Sequence, residues 1–119
     1  RRSSDLEAPQ VLREKQVSLL QEIKWICRKH DTDVKIIISP DYLQVNISPA
    51  DVKTLKRFFG KRNVFDFTGI NEYTEDIHNY YEPGHYRPAL GKRLMEKIYE
   101  PYILSPNAKS PASPSPGTI

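Results

Sequence analysis

Cysteine, glycine and long apolar runs are all scarce in this sequence of 119 residues. Its only cysteine is Cys27, so the chain can form no internal disulfide and no cysteine-rich zinc site. Cys27 lies among apolar residues in a helical pattern, which predicts a small buried hydrophobic side chain. No apolar run approaches the roughly 20 residues that a membrane-spanning helix requires, so we expect no membrane insertion by this chain. The first five residues are polar and lead into no apolar core, which is unlike a signal peptide.

Neither sign of charge dominates the sequence. The 18 lysines and arginines are interspersed with 15 aspartates and glutamates, which gives a formal net charge of +3. A nucleic-acid-binding protein gathers its basic residues on one face. Because these charges alternate along the chain, the sequence predicts an ordinary mixed surface and no nucleic-acid partner.

Turn residues and apolar periodicity divide the chain into three parts. Residues 1–10 are predicted to be a flexible segment, and residues 105–119, rich in serine and proline, a disordered tail that cannot bury enough apolar surface to fold. The part between them, residues 11–104, is predicted to be a single domain. Its pattern indicates a helix, a strand, a helix, a strand, a long irregular loop and a final helix, over 11–28, 34–38, 49–59, 63–69, 70–86 and 88–99.

Several positions indicate where these elements begin, end and pack. Ser48 and Pro49 are typical of an N-cap and a first helical position, and Gly60 of a C-cap. The unbroken β-branched run before Ser39 is typical of a strand buried on both faces. The first helix is predicted to bury one stripe, comprising Leu12, Leu19, Leu20, Ile23, Ile26 and Cys27. The last helix is predicted to bury Leu90, Leu94, Met95 and Ile98.

The alternation of helices and strands predicts an α/β fold with parallel strands and right-handed crossovers. Two strands are too few for a stable open sheet. We therefore expect these elements to form the edge half of a larger domain with three layers.

The most informative pair of residues is Glu82 and His85, separated by Pro83 and Gly84. Histidine is the commonest general base near neutral pH, and a carboxylate on its second ring nitrogen fixes its orientation. The pair follows the second strand, and ligand sites in α/β sheets lie beyond the carboxyl ends of strands. A turn at Pro83 and Gly84 would return Glu82 to the His85 ring. The alternative is two solvated loop residues, because this spacing is common in proteins.

Other candidate site residues carry weaker patterns. Ser39 is the one serine at the carboxyl end of a strand, but it lacks the glycine neighbours of a nucleophile elbow, so we expect a strand-end residue. His30 and His78 lie near Asp31 and Asp76, without the spacing of known metal sites. We therefore expect no metal and no cofactor.

The segment Tyr80–Gly91 has the sequence YYEPGHYRPALG. It resembles the last sequence block of the SGNH (GDSL-type) hydrolases, in which Asp-x-x-His is commonly followed by tyrosine, a proline near a helix start and a glycine within that helix. The preceding order of elements, and the segment Phe65–Gly69, are similar to those of bacterial members linked to the cell envelope or surface polysaccharides. The resemblance extends over about residues 12–99.

This resemblance implies the C-terminal half of a three-layer α/β/α domain of flavodoxin-like type. It implies a serine esterase or acyltransferase acting on an acylated glycan, in the cell envelope or periplasm. His85 would be the general base, and Glu82 would occupy the place of the orienting aspartate. Tyr81 and Tyr86 would contact the substrate.

Two alternatives remain open at this point. The loop tyrosines, including Tyr73 and Tyr80, are equally suited to lining a sugar cleft or to fixing the loop on the sheet. The family's Gly-Asp-Ser nucleophile block and its oxyanion blocks are not found in these 119 residues, so we expect the chain alone to be almost inert as an esterase. Its partner would then be an N-terminal half or a second copy. Alternatively, the chain is a non-catalytic module that docks a partner through its sheet edge.

Overall fold

The computed structural model describes residues 6–101 and shows a mixed α/β fold with one parallel pair of strands. Its helices and strands are α1 Glu14–Lys29, β1 Ile36–Ile38, α2 Pro49–Phe59, β2 Val64–Asp66, β3 Tyr80–Glu82, β4 His85–Tyr86 and α3 Pro88–Ile98. The predicted α/β class with parallel strands is confirmed. The predicted tail lies outside the described residues. Within residues 6–101, every helix is too short or too polar to cross a membrane.

Strands β1 and β2 are paired in register, with Ile36 opposite Val64 and Ile37 opposite Phe65. Successive side chains of a strand point to opposite faces, so Ile37 and Phe65 share one face of this sheet. The three isoleucines of β1 are only half-buried. The prediction of a strand buried on both faces is therefore wrong, because β1 pairs with β2 alone within the described part of the chain.

Helix α3 covers the face that carries Ile37 and Phe65. The main core cluster is Phe67, Leu94 and Ile98, with Ile37, Phe65, Tyr73, Tyr86 and Tyr99 packed against it. Leu90 and Leu94 are fully buried, as the sequence predicts. The prediction for Met95 is wrong, since its side chain is 44% exposed. Met95 follows Leu94 by one residue, or about 100° around the helix, which turns it away from the core.

Helix α1 contributes no buried residue to this core. It contacts α2, yet Leu19, Ile23 and Ile26 are exposed and form a stripe on the helix surface. Cys27 is half-buried rather than buried. The predicted stripe exists, but its burial is only partial: Leu12, Leu20 and Cys27 are half-buried, whereas Leu19, Ile23 and Ile26 are exposed within the described fold.

Helix α2 has the bounds that the sequence predicts. Pro49 is its first residue, and Gly60 follows its end with a φ of 91°, a backbone conformation that favours glycine. Ser48 is the N-cap residue by position, but its side chain makes no capping hydrogen bond. Ser48 therefore occupies the predicted N-cap position, but the prediction that its side chain caps the helix is wrong.

The segment before α1 is fastened to the start of α2 by Asp51. This carboxylate is only 1% exposed and accepts hydrogen bonds from the backbone N–H groups of Val11, at 2.9 Å, and Leu12, at 3.1 Å. Glu7 forms a parallel bridge with Asn46, in the connection that leads to α2. These contacts link residues 7–12 to the second half of the β1–α2 crossover.

Candidate functional site

Strands β3 and β4 form a β-hairpin within the segment that the sequence predicts to be an irregular loop. In its register Tyr80 lies opposite Tyr86, and Glu82 lies opposite His85. Pro83 and Gly84 form the turn, as the sequence predicts. The prediction of an irregular loop is wrong for these residues, because strands of two and three residues are too short to show an alternating pattern.

The hairpin brings Glu82 and His85 into direct contact. Oε1 of Glu82 and Nδ1 of His85 form a hydrogen bond, and the two side chains are 62% and 72% exposed. Within residues 6–101, Nε2 of His85 makes no hydrogen bond. A carboxylate on Nδ1 and an open Nε2 are what a general base needs, since Nε2 can accept a proton while the carboxylate stabilises the imidazolium.

The hairpin is held against the segment that follows β1. The backbone N–H of Tyr42 donates to the carbonyl oxygen of Pro83 at 2.9 Å, and the ring centroids of Tyr42 and Tyr80 are 5.8 Å apart. At the base of the hairpin, the N–H of Arg87 donates to the carbonyl of Asn79 at 2.7 Å. The Glu82–His85 pair is therefore positioned near the carboxyl end of β1, the edge at which α/β sheets bind ligands.

The four loop tyrosines have different environments. Tyr80 is buried, and its hydroxyl donates to the carbonyl oxygen of Tyr73 at 2.6 Å. Tyr73 and Tyr86 pack against the core cluster, so they fix the hairpin to the sheet. Tyr81 is exposed, and the guanidinium carbon of Arg87 lies 4.2 Å from its ring centroid. Among these four tyrosines, Tyr81 is the one whose ring is exposed to solvent. The sequence did not predict that Arg87 would lie over this ring.

A second acid–histidine pair lies nearby in the chain, at Asp76 and His78. Nδ1 of His78 is 2.9 Å from Oδ1 of Asp76, and both side chains are exposed. The backbone N–H of His78, and then its ring, hold the pKa of Asp76 below its usual value. Within residues 6–101, no group of three or more histidine, cysteine or acidic side chains is arranged to hold a metal ion.

Ser39 is exposed at the end of β1. Within the described residues it makes no hydrogen bond with His85. The structure therefore joins Glu82 to His85 but does not join Ser39 to either of them.

A buried polar contact, which no local sequence pattern predicts, joins two of the loops. The Gln44 side chain donates to the carbonyl and hydroxyl oxygens of Thr74 at 3.3 and 3.2 Å, and Thr74 donates to the carbonyl of Gly69 at 2.7 Å. Both side chains are buried. Buried polar groups need such partners, so this contact fixes the β1–α2 connection to the segment after β2.

The buried phenol of Tyr80 predicts a loss of stability in alkali. Burial, and secondly the charge of Asp41, raises the pKa of Tyr80 from 10.0 to about 12. An unfolded tyrosine loses its proton near pH 10, so the free energy of unfolding falls as the pH rises from 10 through 12. We expect Tyr80→Phe to reduce this fall by about 1 kcal/mol in urea titrations at pH 8 and pH 11.5. The same fall in the free energy of unfolding between pH 8 and pH 11.5 in wild type and Tyr80→Phe would contradict the assignment.

No known protein family, curated protein or solved structure was found to match this chain.

Proposed function

We propose that this chain supplies the general base and its orienting carboxylate to an SGNH-like acyl-ester hydrolase or acyltransferase. The observation that carries the proposal is the hairpin that binds Glu82 to Nδ1 of His85 and leaves Nε2 without a hydrogen bond within the described residues. A serine from residues beyond this sequence would attack the acyl carbon. Nε2 of His85 would take the serine proton, and Glu82 would stabilise the resulting imidazolium.

The longer side chain at position 82 is compatible with this role. The family pattern has aspartate at the position of Glu82, and glutamate adds one methylene. In the hairpin the Glu82 carboxylate still reaches Nδ1 of His85. This contact supports the proposal that the Glu82 carboxylate orients the His85 ring.

The fold supports the proposal as the C-terminal half of a three-layer domain. Strand β1 has one unpaired edge within the described residues, and the α1 stripe of Leu19, Ile23 and Ile26 is exposed. In the proposed complete domain, a further strand would pair with β1 and the enlarged sheet would cover this stripe. Such an edge and such a stripe would otherwise remain open to solvent.

The proposed substrate is an acylated glycan of the cell envelope. Tyr81 immediately precedes Glu82 in the sequence, and Arg87, two residues after His85, lies over the Tyr81 ring, so the hairpin presents an aromatic ring and a cation. Sugar rings pack on exposed aromatic faces, and a guanidinium binds a carboxylate or phosphate group. Tyr86, which packs against the core, would position this surface and contact the substrate only at its exposed edge.

The tautomer of His85 tests the proposal on this chain directly. The hydrogen bond to Glu82 places the proton of the neutral ring on Nδ1 and leaves Nε2 as an acceptor. We expect nitrogen NMR of the neutral ring to show Nδ1–H as the major tautomer, and Glu82→Ala to lower its population. His78, held by Asp76, should not change in Glu82→Ala and serves as an internal control. Nε2–H as the major tautomer of His85 in the wild type would contradict the general-base assignment.

The exposed α1 stripe also favours a second candidate, a non-catalytic module that pairs with a second copy of the chain. The stripe of Leu19, Ile23 and Ile26 and the open edge of β1 would then form the dimer interface. Sedimentation equilibrium separates the two candidates. A mass of twice 13.8 kDa that returns to 13.8 kDa in Ile23→Lys would favour the module.

A further inference from the structure

Basic residues are concentrated in two stretches of the sequence, which form the second half of α1 and most of α2 with the turn after it. Residues 21–30 and 52–62 together contain eight lysines and arginines and one acid, Glu22. The basic residues are Lys24, Arg28, Lys29, Lys53, Lys56, Arg57, Lys61 and Arg62. Two acids follow α1, Asp31 and Asp33, and Asp33 lies 3.7 Å from Lys35. The remainder of the chain therefore carries a net negative charge, and this region alone accounts for its basic character.

An open groove lies in this region, and two aromatic rings form part of its lining. The groove has a volume of about 740 Å³ and is lined by Gln21, Lys24, Trp25, Arg28, Lys29 and Phe58. None of these side chains is acidic. Trp25 is 62% exposed, although indole is among the largest apolar groups that a protein can bury. We name this surface, defined by its six lining residues, the α1–α2 groove.

The cations of the α1–α2 groove lie directly on its rings. Nζ of Lys29 is 5.0 Å from the Trp25 ring, and Nζ of Lys24 is 5.8 Å from the Phe58 ring. The guanidinium carbon of Arg57 lies 5.6 Å from the same Phe58 ring. Cations near the carboxyl ends of helices interact favourably with the helix dipole. This interaction alone would explain the positions of Arg28, Lys29, Lys56 and Arg57 in the last turns of α1 and α2. The helix dipole does not account for an exposed tryptophan placed among them.

This combination of positive charge and exposed aromatic surface favours one kind of ligand. Positive charge beside exposed aromatic rings is the arrangement that binds single-stranded nucleic acid, because the cations neutralise phosphates while unpaired bases stack on the rings. A duplex keeps its bases stacked and offers them to no ring. The serine- and proline-rich segment 105–119 carries no acidic residue, so it lacks the charge to occupy the groove.

We propose that the α1–α2 groove is a binding site for single-stranded nucleic acid, with Trp25 as the stacking platform and Lys24, Arg28 and Lys29 as the phosphate contacts. This site does not depend on the Glu82–His85 pair. The sequence predicted no such partner from its mixed charges; α1 itself places these cations around Trp25, and the packing of α1 on α2 adds the Phe58 ring.

Titration of the whole chain with fluorescein-labelled dT15 tests this site. We expect a Kd of about 10⁻⁵ M at 0.1 M salt, and a slope of log K against log salt near −2, from about −0.7 per phosphate contacted. Trp25 is the only tryptophan of the chain, so quenching of its fluorescence reports on the groove itself. Trp25→Ala should weaken binding about tenfold, and Trp25→Phe should restore most of the affinity.

Charge variants complete the test. Arg28→Glu combined with Lys29→Glu should weaken binding more than tenfold, whereas Lys92→Glu, at an exposed lysine of α3, should change it less than twofold. Circular dichroism of each variant confirms that it is folded. Three results would overturn the proposal: equal binding by Trp25→Ala and wild type, equal competition by base-free polyphosphate of the same charge, or stronger competition by vesicles of anionic lipid. The last result would assign the groove to a membrane surface instead.

Discussion

Replacing His85 with alanine is expected, under the proposed mechanism, to lower ester hydrolysis by about a thousandfold or more, because the proposed serine nucleophile then has no base to take its proton. The measurement uses p-nitrophenyl acetate and the longest natural protein that contains these residues, so that nucleophile and base are present together. The His85 side chain is 72% exposed, so we expect the free energy of unfolding to change by less than about 0.5 kcal/mol. A loss of activity without a loss of stability would separate chemistry from folding.

The Asp76–His78 pair provides the matched control for this experiment. His78 is also exposed and its Nδ1 is also hydrogen-bonded to a carboxylate, but it lies in a different turn of the chain. We expect His78→Ala to retain activity within about twofold. Equal activities of His85→Ala and wild type would refute the proposed role, and so would equal losses in His85→Ala and His78→Ala.

The sequence predicted the helices well where local chemistry sets their limits. Pro49 and Gly60 bound α2 at the predicted residues, since proline suits the first helical position and glycine the left-handed region after the last turn. Pro88 begins α3 for the same reason. These signals act within a few residues, so they do not depend on how the rest of the chain packs.

Burial was predicted less well because it depends on neighbours. The stripe of Leu19, Ile23 and Ile26 has the period of a core-facing helix, yet it is exposed in the described fold. A periodic pattern shows that a face is apolar, but it does not show which element covers that face. The half-burial of β1 follows from the same limit, since its burial depends on a second neighbouring strand and on helices packed over both faces of the sheet.

The candidate site likewise contains some contacts that the sequence predicts and others that it does not. The turn at Pro83 and Gly84, and the contact of Glu82 with His85, follow from residues that are adjacent in sequence. The hydrogen bond of Tyr42 to Pro83 joins segments about 40 residues apart, and no local pattern signals it. The α1–α2 groove likewise combines Trp25 with Phe58, which become neighbours only when the helices pack.

Replacing Leu94 with alanine is expected to lower the free energy of unfolding by about 3–4 kcal/mol. Leu94 is fully buried and belongs to the cluster with Phe67 and Ile98 that joins α3 to the sheet. A domain of this size has a total stability of only about 5–15 kcal/mol, so the variant should melt more than 10 °C below the wild type.

Met95→Ala is the matched control, because Met95 is the next residue of α3 and has a side chain of similar size. Since Met95 is 44% exposed, its removal leaves little cavity, and we expect a loss below about 1 kcal/mol in urea denaturation. Tyr86 packs against the same cluster as Leu94 and precedes α3 by two residues, next to His85. We therefore expect Leu94→Ala also to lower the Nδ1–H population of His85, while Met95→Ala leaves it unchanged. Equal losses of stability in the two variants would show that α3 does not use Leu94 to anchor the hairpin and its histidine to the sheet.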